Sequence, residues 1–247
     1  MSYQIDSKII FSIIGLNLLL IFIGYLIGSL NTSIILSSKL KKDDVRNHFS
    51  QNAGATNSLR VYGKKFALTV FIIDFFKVII PSLIFIILIR YVWYDFAKIY
   101  WMSPQAIGFG VIIGHCWPVF FKFKGGKGVA CTSAFILVIN PILWVFAGII
   151  FFSFAFKTKK VSLSSMCTAS IIVPFVFIPW FTQGMPGYWL NFINYSNNIS
   201  LNNLQPYWFV SGIFYLTSVI IIIVLHRSNI KRLLAGKEST LSLKSAK

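Results

Sequence analysis

Apolar residues run almost unbroken from about 9 to 36, 66 to 89, 105 to 121, 129 to 156, 161 to 181 and 207 to 225. They show neither the alternation of a half-buried strand nor the one-sided stripe of a soluble helix. Runs near ~20 residues predict helices that cross a bilayer. The polar intervals between them are short and unevenly charged. Residues 37 to 65 carry seven Lys or Arg, 122 to 127 carry three, 157 to 160 read KTKK, 226 to 247 carry six, and 182 to 206 carry none. Because basic loops stay on the cytoplasmic side, the four basic intervals belong inside and the Asn-rich 182 to 206 loop outside. Six spans cannot satisfy this, since the intervals at 122 to 127 and 157 to 160 must share a side. The run between them therefore crosses and returns, and Asn140-Pro141 is its strongest helix break. The chain is expected to be all-α, a polytopic integral membrane bundle of one domain, 1–247. Its seven spans fall at about 9–36, 66–89, 105–121, 129–139, 142–156, 161–181 and 207–225, with the N-terminus outside and the C-terminus cytoplasmic.

A mean hydropathy of +0.75 with 12% charged residues over 247 positions leaves no water-exposed domain over. The start, MSYQIDSK, lacks the basic region and cleavage site of a signal peptide, so the first apolar run reads as a retained span. Cys116, Cys131 and Cys167 have no paired spacing, which predicts buried free thiols, no disulfide frame and no metal site. The net charge of +17 is concentrated in loops, where it suits anionic headgroups and anionic substrates. No basic, aromatic surface domain exists to grip nucleic acid.

The most distinctive stretch is GHCWPVFFKFKGGKGVA, residues 114 to 130. Gly125, Gly126 and Gly128 let consecutive backbone N–H groups turn toward one anion, and Lys127 adds a point charge among them. A Walker A loop is excluded, because Val129 stands where a hydroxyl would meet magnesium. Taken alone, the loop reads either as a phosphate cradle or as a basic turn anchoring a span. Residues 46 to 60, RNHFSQNAGATNSLR, are dense in amides and hydroxyls. Ser50, Asn52, Thr56 and Asn57 could donate around an anion that Arg46 grips bidentately, or the run is a solvated loop. Asp74 and Lys77 lie three apart on one face of the second span, where each would cost ~3 kcal/mol unpaired, so an ion pair locking helices is expected. A functional pair is the alternative that intramembrane charges invite. His115 closes the third span. His226 opens HRSNIKRLLAGKE with Asn229 three residues on, and Ser162 follows KTKK. Every candidate falls on the cytoplasmic side.

With these segments in order, the chain resembles the bacterial acyl-phosphate:glycerol-3-phosphate acyltransferase (PlsY) family over nearly its whole length. One motif runs from Gly28-Ser29 through Arg46 to AGATNSLR at 53 to 60, the second is GHCWPVFFKFKGGKGVA, and the third is HRSNIKRLLAGKE at 226 to 238. The resemblance implies a multi-pass enzyme of the bacterial cell membrane with its site facing the cytoplasm. Such an enzyme moves a fatty acyl group from acyl phosphate to the sn-1 hydroxyl of glycerol 3-phosphate, giving lysophosphatidic acid and phosphate. It implies Ser29, Arg46, Lys127, His226 and Asn229 at the reaction centre, Gly125, Gly126 and Gly128 as the acyl-phosphate loop, and Glu238 in support. Ser50, Asn52, Thr56, Asn57, His115 and Ser162 complete the expected substrate-binding set. No cofactor and no obligate protein partner are expected; the partners are the two substrates and the bilayer. Where the family reads Gly-Ser-Gly-Asn this chain has Phe49-Ser50-Gln51-Asn52, and Asn31 replaces a common Pro.

Other chemistries fit less well. An acyltransferase dyad with Asp five residues after His is absent, since positions 53, 120 and 231 hold Ala, Phe and Lys. Six scattered acidic residues do not form a two-metal site. A transporter or flippase for an anionic phosphate compound would use the same basic mouth, although no internal repeat supports it.

Overall fold

The computed structural model describes residues 7–183, 204 and 207–240, and among these the regular structure is all helical. In chain order the helices are α1 (Ser7–Ser29), α2 (Thr32–Lys41), α3 (Ala55–Tyr62), α4 (Lys64–Tyr91), α5 (Tyr94–Ile99), α6 (Pro104–Cys116), α7 (Val129–Ile139), α8 (Pro141–Thr158), α9 (Val161–Ile172), α10 (Pro179–Gln183), α11 (Val210–Leu225) and α12 (Arg227–Leu234). Four segments are long and apolar enough to cross a membrane: Lys8–Lys41, Lys64–Tyr91, Pro104–Phe121 and Pro141–Thr158. The pair α11 and α12 qualifies together but bends by 57°, and Val129–Ile139 and Val161–Phe177 are shorter apolar segments. Large apolar side chains such as Phe11, Phe152 and Phe156 point outward, the inverse of a water-soluble bundle.

Cap chemistry sets where the apolar runs break. The first run, expected as one span over 9–36, is two helices. Asn31 is extended, and its side-chain oxygen accepts the Ile34 N–H at 3.2 Å, ending α1 and starting α2. Its φ of −73° is one that proline also adopts, and as an asparagine it adds a cap. Asn140 does the same between α7 and α8, accepting from Ile142 N at 2.7 Å and Leu143 N at 3.0 Å while its Nδ2 donates to the Phe181 carbonyl. The run 161–181 breaks where Pro174 and Pro179 interrupt it with a 3₁₀ turn, Phe175–Phe177. Of the two spans expected to be short, only α7 is: its 11 residues reach about 16 Å and lie buried among other helices. Of the 18 residues of α8 only Leu143 and Ala147 are fully buried, the others being half-buried or exposed. Most of the 182–206 loop and both chain ends lie outside the described residues.

The closest helix contact, α1 against α6, runs through two glycine pairs. A Cβ on Gly24 or Gly28 would lie 2.1 or 2.2 Å from the Ile107 or Val111 carbonyl oxygen. On Gly110 or Gly114 it would lie 2.1 Å from the Ile21 or Tyr25 oxygen. Backbone therefore packs on backbone, the small-xxx-small arrangement of helices in lipid.

Gly28→Ala is expected to cost at least ~1–3 kcal/mol through overpacking against backbone that cannot yield. Gly148→Ala on α8, where a Cβ meets nothing within 4 Å, should be neutral or gain up to about 1 kcal/mol. Thermal unfolding in detergent compares the two, and equal effects would contradict the contact.

Candidate active site

The glycine-rich loop is shaped by the end of α6. Pro118 stops the helix, a 3₁₀ turn covers Val119–Phe121, and Lys122 and Phe123 both take left-handed φ of 57°, reversing the chain. The Gly125 N–H then donates to the Cys116 carbonyl at 3.2 Å and the Gly126 N–H to the His115 carbonyl at 3.0 Å. A Cβ on Gly125 would lie 2.1 Å from the His115 oxygen, and on Gly126 2.0 Å from His115 Nε2. These two glycines are therefore dictated by contact with His115, and their amides are engaged within the protein. Free donors lie further on. Gly128, at φ 77°, leads into α7, which no side chain caps, so the first-turn N–H groups beside Lys127 have the chemistry that favours an anion at a helix N-terminus.

Lys127 faces the C-terminal motif. Its ammonium donates to Asn229 Oδ1, and Asn229 Nδ2 donates to Glu238 Oε1 at 2.7 Å. Ser162 Oγ donates to the same oxygen at 2.7 Å, and Arg232 Nε to the other at 2.8 Å. Burial works to raise the Glu238 pKa, but these donors outweigh it and hold the carboxyl below its usual range. Burial, aided by Arg232, pushes Lys127 down to about 8. His226, the first residue beyond α11, has Nδ1 2.8 Å from the Ile222 carbonyl. A carbonyl only accepts, so Nδ1 carries the proton and Nε2 keeps its lone pair. Burial, then Lys127, lowers this imidazole to about 4, so it is neutral near pH 7. Lys127, His226, Asn229, Ser162 and Glu238 thus come together from three distant segments.

Arg46 is placed differently from the phosphate grip expected of it. Its Nε and Nη2 bond the Asp44 carboxylate at 2.7–3.1 Å, and Nη1 donates to the Phe121 and Lys124 carbonyls at 3.0 and 3.1 Å. Most guanidinium donors are spent on tying the first basic loop to the glycine-rich one. Ala53 N–H to Gly125 O, at 3.2 Å, adds a second tie. Asn57 is buried scaffolding: it accepts from Ser50 Oγ at 3.0 Å and donates to the Val45 and His48 carbonyls. Ser29 is buried and its Oγ accepts the Val119 N–H at 3.4 Å. Asn52 is half-buried and Thr56 exposed. Phe49 and Gln51 hold left-handed φ of 43° and 54°, a conformation that glycine takes freely and their side chains disfavour.

Asp74 and Lys77 pair at 2.8 Å, with side chains 2% and 9% exposed. Sequence reasoning left them apart from the site, yet they adjoin it. Thr32 Oγ1 donates to Asp74 at 2.7 Å, and Lys77 Nζ lies 3.0 Å from His115 Nδ1. Asp74, His115 and Cys131 bring ligand-type atoms within 4.8 Å of one another, and the Lys77 ammonium already supplies positive charge there. Asp44 and Arg232 were also missed; Asp44 stands two residues before Arg46 and Arg232 six before Glu238, spacings that permit such pairs without requiring them.

Comparison with known proteins points to one family. The sequence model of the family described as "Glycerol-3-phosphate acyltransferase" matches residues 18–236. A "Glycerol-3-phosphate acyltransferase" of Mycoplasmopsis agalactiae is 47% identical over 97% of this chain and 99% of its own, and one of Mycoplasmopsis synoviae is 43% identical over 95% and 99%. The crystal structure of PlsY (YgiH), an integral membrane glycerol 3-phosphate acyltransferase, in its glycerol 3-phosphate form superposes with a TM-score of 0.68 at 29% identity, covering 92% of this chain and 96% of that one. Its lysophosphatidic acid form gives 0.66 at 28% over the same shares.

The Arg46 clamp requires a fork that lysine lacks. Arg46→Lys is therefore expected to speed amide exchange in residues 121–125 about tenfold or more, as much as Arg46→Ala does. Wild-type exchange in Arg46→Lys would show that a single charge suffices.

Proposed function

The chain belongs to the glycerol-3-phosphate acyltransferase family, and from that premise we propose that it acylates the sn-1 hydroxyl of glycerol 3-phosphate with acyl phosphate as donor. The product is lysophosphatidic acid, the start of membrane phospholipid synthesis. The observation that carries this reading is the meeting of Lys127, Asn229, His226 and Glu238 beside the N-terminus of α7. That arrangement suits a phosphate leaving group. The hydroxyl oxygen bonds to the acyl carbonyl carbon, the carbon–oxygen bond to phosphate breaks, and phosphate leaves with the electron pair. An acyl phosphate is already an activated anhydride, so the protein needs to position the substrates and stabilise charge, with no covalent nucleophile. Lys127 and the α7 N–H groups take the phosphate. Arg46 contributes through the loop it clamps.

Two groups could accept the hydroxyl proton. His226 presents the Nε2 lone pair, but at about 4 it is a weak base near pH 7. A phosphate ester oxygen, with a second pKa near ~6, is better matched. We therefore assign His226 to orienting the hydroxyl and a substrate phosphate to taking the proton.

Purified protein given acyl phosphate and glycerol 3-phosphate should form lysophosphatidic acid, and acyl-CoA should not replace the donor; no product in detergent or lipid would remove this reading. Lys127→Ala should lower turnover at least ~100-fold. Lys127 is charged below about pH 8 and neutral above it. Phosphate binding should therefore weaken as pH rises through 8, and Lys127→Arg should flatten that limb. The acidic limb of kcat/KM should persist in the residual activity of His226→Ala, because it belongs to substrate; its disappearance would make His226 the base.

We also propose one domain with seven spans, the N-terminus outside and the site facing the cytoplasm. The apolar segments number seven when α1 with α2 and α11 with α12 each count once, and the basic loops carry the site residues at one end. Single-cysteine labelling tests this: label reaching position 159 from outside intact cells, or position 195 only from inside, would overturn it.

A further inference from the structure

We infer that Asp74 and Lys77, beyond locking helices, are positioning residues that hold the His115 imidazole with its Nε2–H directed at the glycine-rich loop, and through it set the acyl-phosphate site; this rests on the function proposed above. Lys77 Nζ is a donor only, and it reaches Asp74 Oδ1 at 2.8 Å, His115 Nδ1 at 3.0 Å and the Gly28 carbonyl at 3.4 Å. At 3.0 Å from an ammonium, Nδ1 must accept. The neutral ring then carries its hydrogen on Nε2. The alternative, Nδ1–H donating to Asp74, would span 3.5 Å, too long for a charge-assisted bond, and would set two donors against each other. Asp74 Oδ1 is meanwhile occupied by Lys77 and by Thr32 Oγ1 at 2.7 Å.

The other edge of the ring meets the loop. A Cβ added to Gly126 would lie 2.0 Å from His115 Nε2 and 2.7 Å from the Ala53 carbonyl. The residue touching the ring is thus the neighbour of Lys127, while the His115 carbonyl receives the Gly126 N–H at 3.0 Å. A pair serving only to hold α4 against α1 and α2 would need nothing from His115. Here the ammonium joins four elements: α4 itself, α2 through Asp74 and Thr32, α1 through Gly28, and α6 through His115. A change at the pair is therefore transmitted to the loop through one ring.

The full chain contains three histidines, so selective ¹⁵N-histidine labelling in detergent resolves their tautomers, with His115→Gln assigning the signals. The wild type is expected to hold His115 as the Nε2–H tautomer from pH 6 to 8, and Asp74→Asn with Lys77→Met to release it into a tautomer mixture. Replacing both charges with groups of similar volume leaves neither one buried alone, so this double variant is expected to fold. It should raise KM for acyl phosphate at least tenfold and change KM for glycerol 3-phosphate less than twofold. If it fails to fold, His115→Gln and His115→Asn decide: Gln returns an N–H near the Nε2 position and should keep most of the acyl-phosphate affinity, whereas Asn should lose it. A wild-type KM in the folded double variant, equal effects of Gln and Asn, or a wild-type His115 protonated on Nδ1 would overturn the inference. A wild type that makes no lysophosphatidic acid would instead remove the functional reading, and the tautomer measurement would still decide the geometry.

Discussion

The contact of α1 with α6 is the constraint from which the rest of the site follows. Between apolar helices in lipid the hydrophobic effect provides little attraction, so close packing and interhelical polar bonds must hold them. Four glycines let the two backbones touch, and this fixes the register of everything at their loop-side ends. A Cβ on Gly114 would lie 2.8 Å from the Ser29 amide, so the end of α1 and the last turn of α6 occupy nearly the same level. Ser29 then meets Val119, the Gly28 carbonyl is open to Lys77, and the carbonyls of His115 and Cys116 are presented to the returning glycine loop. The loop inherits its shape from a helix contact made deeper in the bundle.

On that frame the protein divides its cations by how much of their charge remains for a ligand. Arg46 is committed: its fork is filled by Asp44 and two carbonyls, which makes it an organiser of loop geometry. Lys77 is committed to Asp74 and His115. Lys127 differs, because its partner Asn229 is neutral and the nearest carboxylate, Glu238, is already satisfied by Ser162, Asn229 and Arg232. An ammonium held by an amide keeps its net charge available to an anion. Glu238 therefore fixes the amide without neutralising the lysine.

Much of this was legible in the chain. Among the described residues the apolar helices lie along the runs that hydropathy marks, the charge contrast required a break at Asn140-Pro141, and that pair does separate α7 from α8. The three motifs do converge, with Arg46 on the Lys124 carbonyl and Lys127 on Asn229. Other features were hidden for identifiable reasons. The break at Asn31 escaped because one amide barely lowers the hydropathy of a long apolar run, whereas its geometric effect as a cap is local and complete. The glycine loop was read as a row of free donors because sequence does not reveal that the Gly125 and Gly126 amides are satisfied by α6. The spacing of Asp74 and Lys77 announced their pairing, but not the third partner 38 residues away on another helix. Nor do Phe49 and Gln51 announce left-handed backbone, since their side chains disfavour it and the Ser50–Asn57 bonds between them hold the loop.

The C-terminal segment completes the site last in chain order, and this has a physical consequence. Asn229 lies 102 residues from Lys127, and Glu238 76 from Ser162. Contacts so distant in sequence bear a loop-closure entropy that α1 with α6 and the helical hairpins must already have offset. The bend at His226 and the return of residues 235–239 over the bundle bring the carboxylate back to α9, while Ser239 meets Arg60 of α3 at 2.6 Å. The glycine loop has its own ties to α6 and Arg46, whereas the amide that holds Lys127 comes only from the C-terminal segment, through Asn229 of α12. The cationic end of the site is thus a property of the whole fold, assembled by the last described turn of chain on a loop whose geometry was set by the first helix.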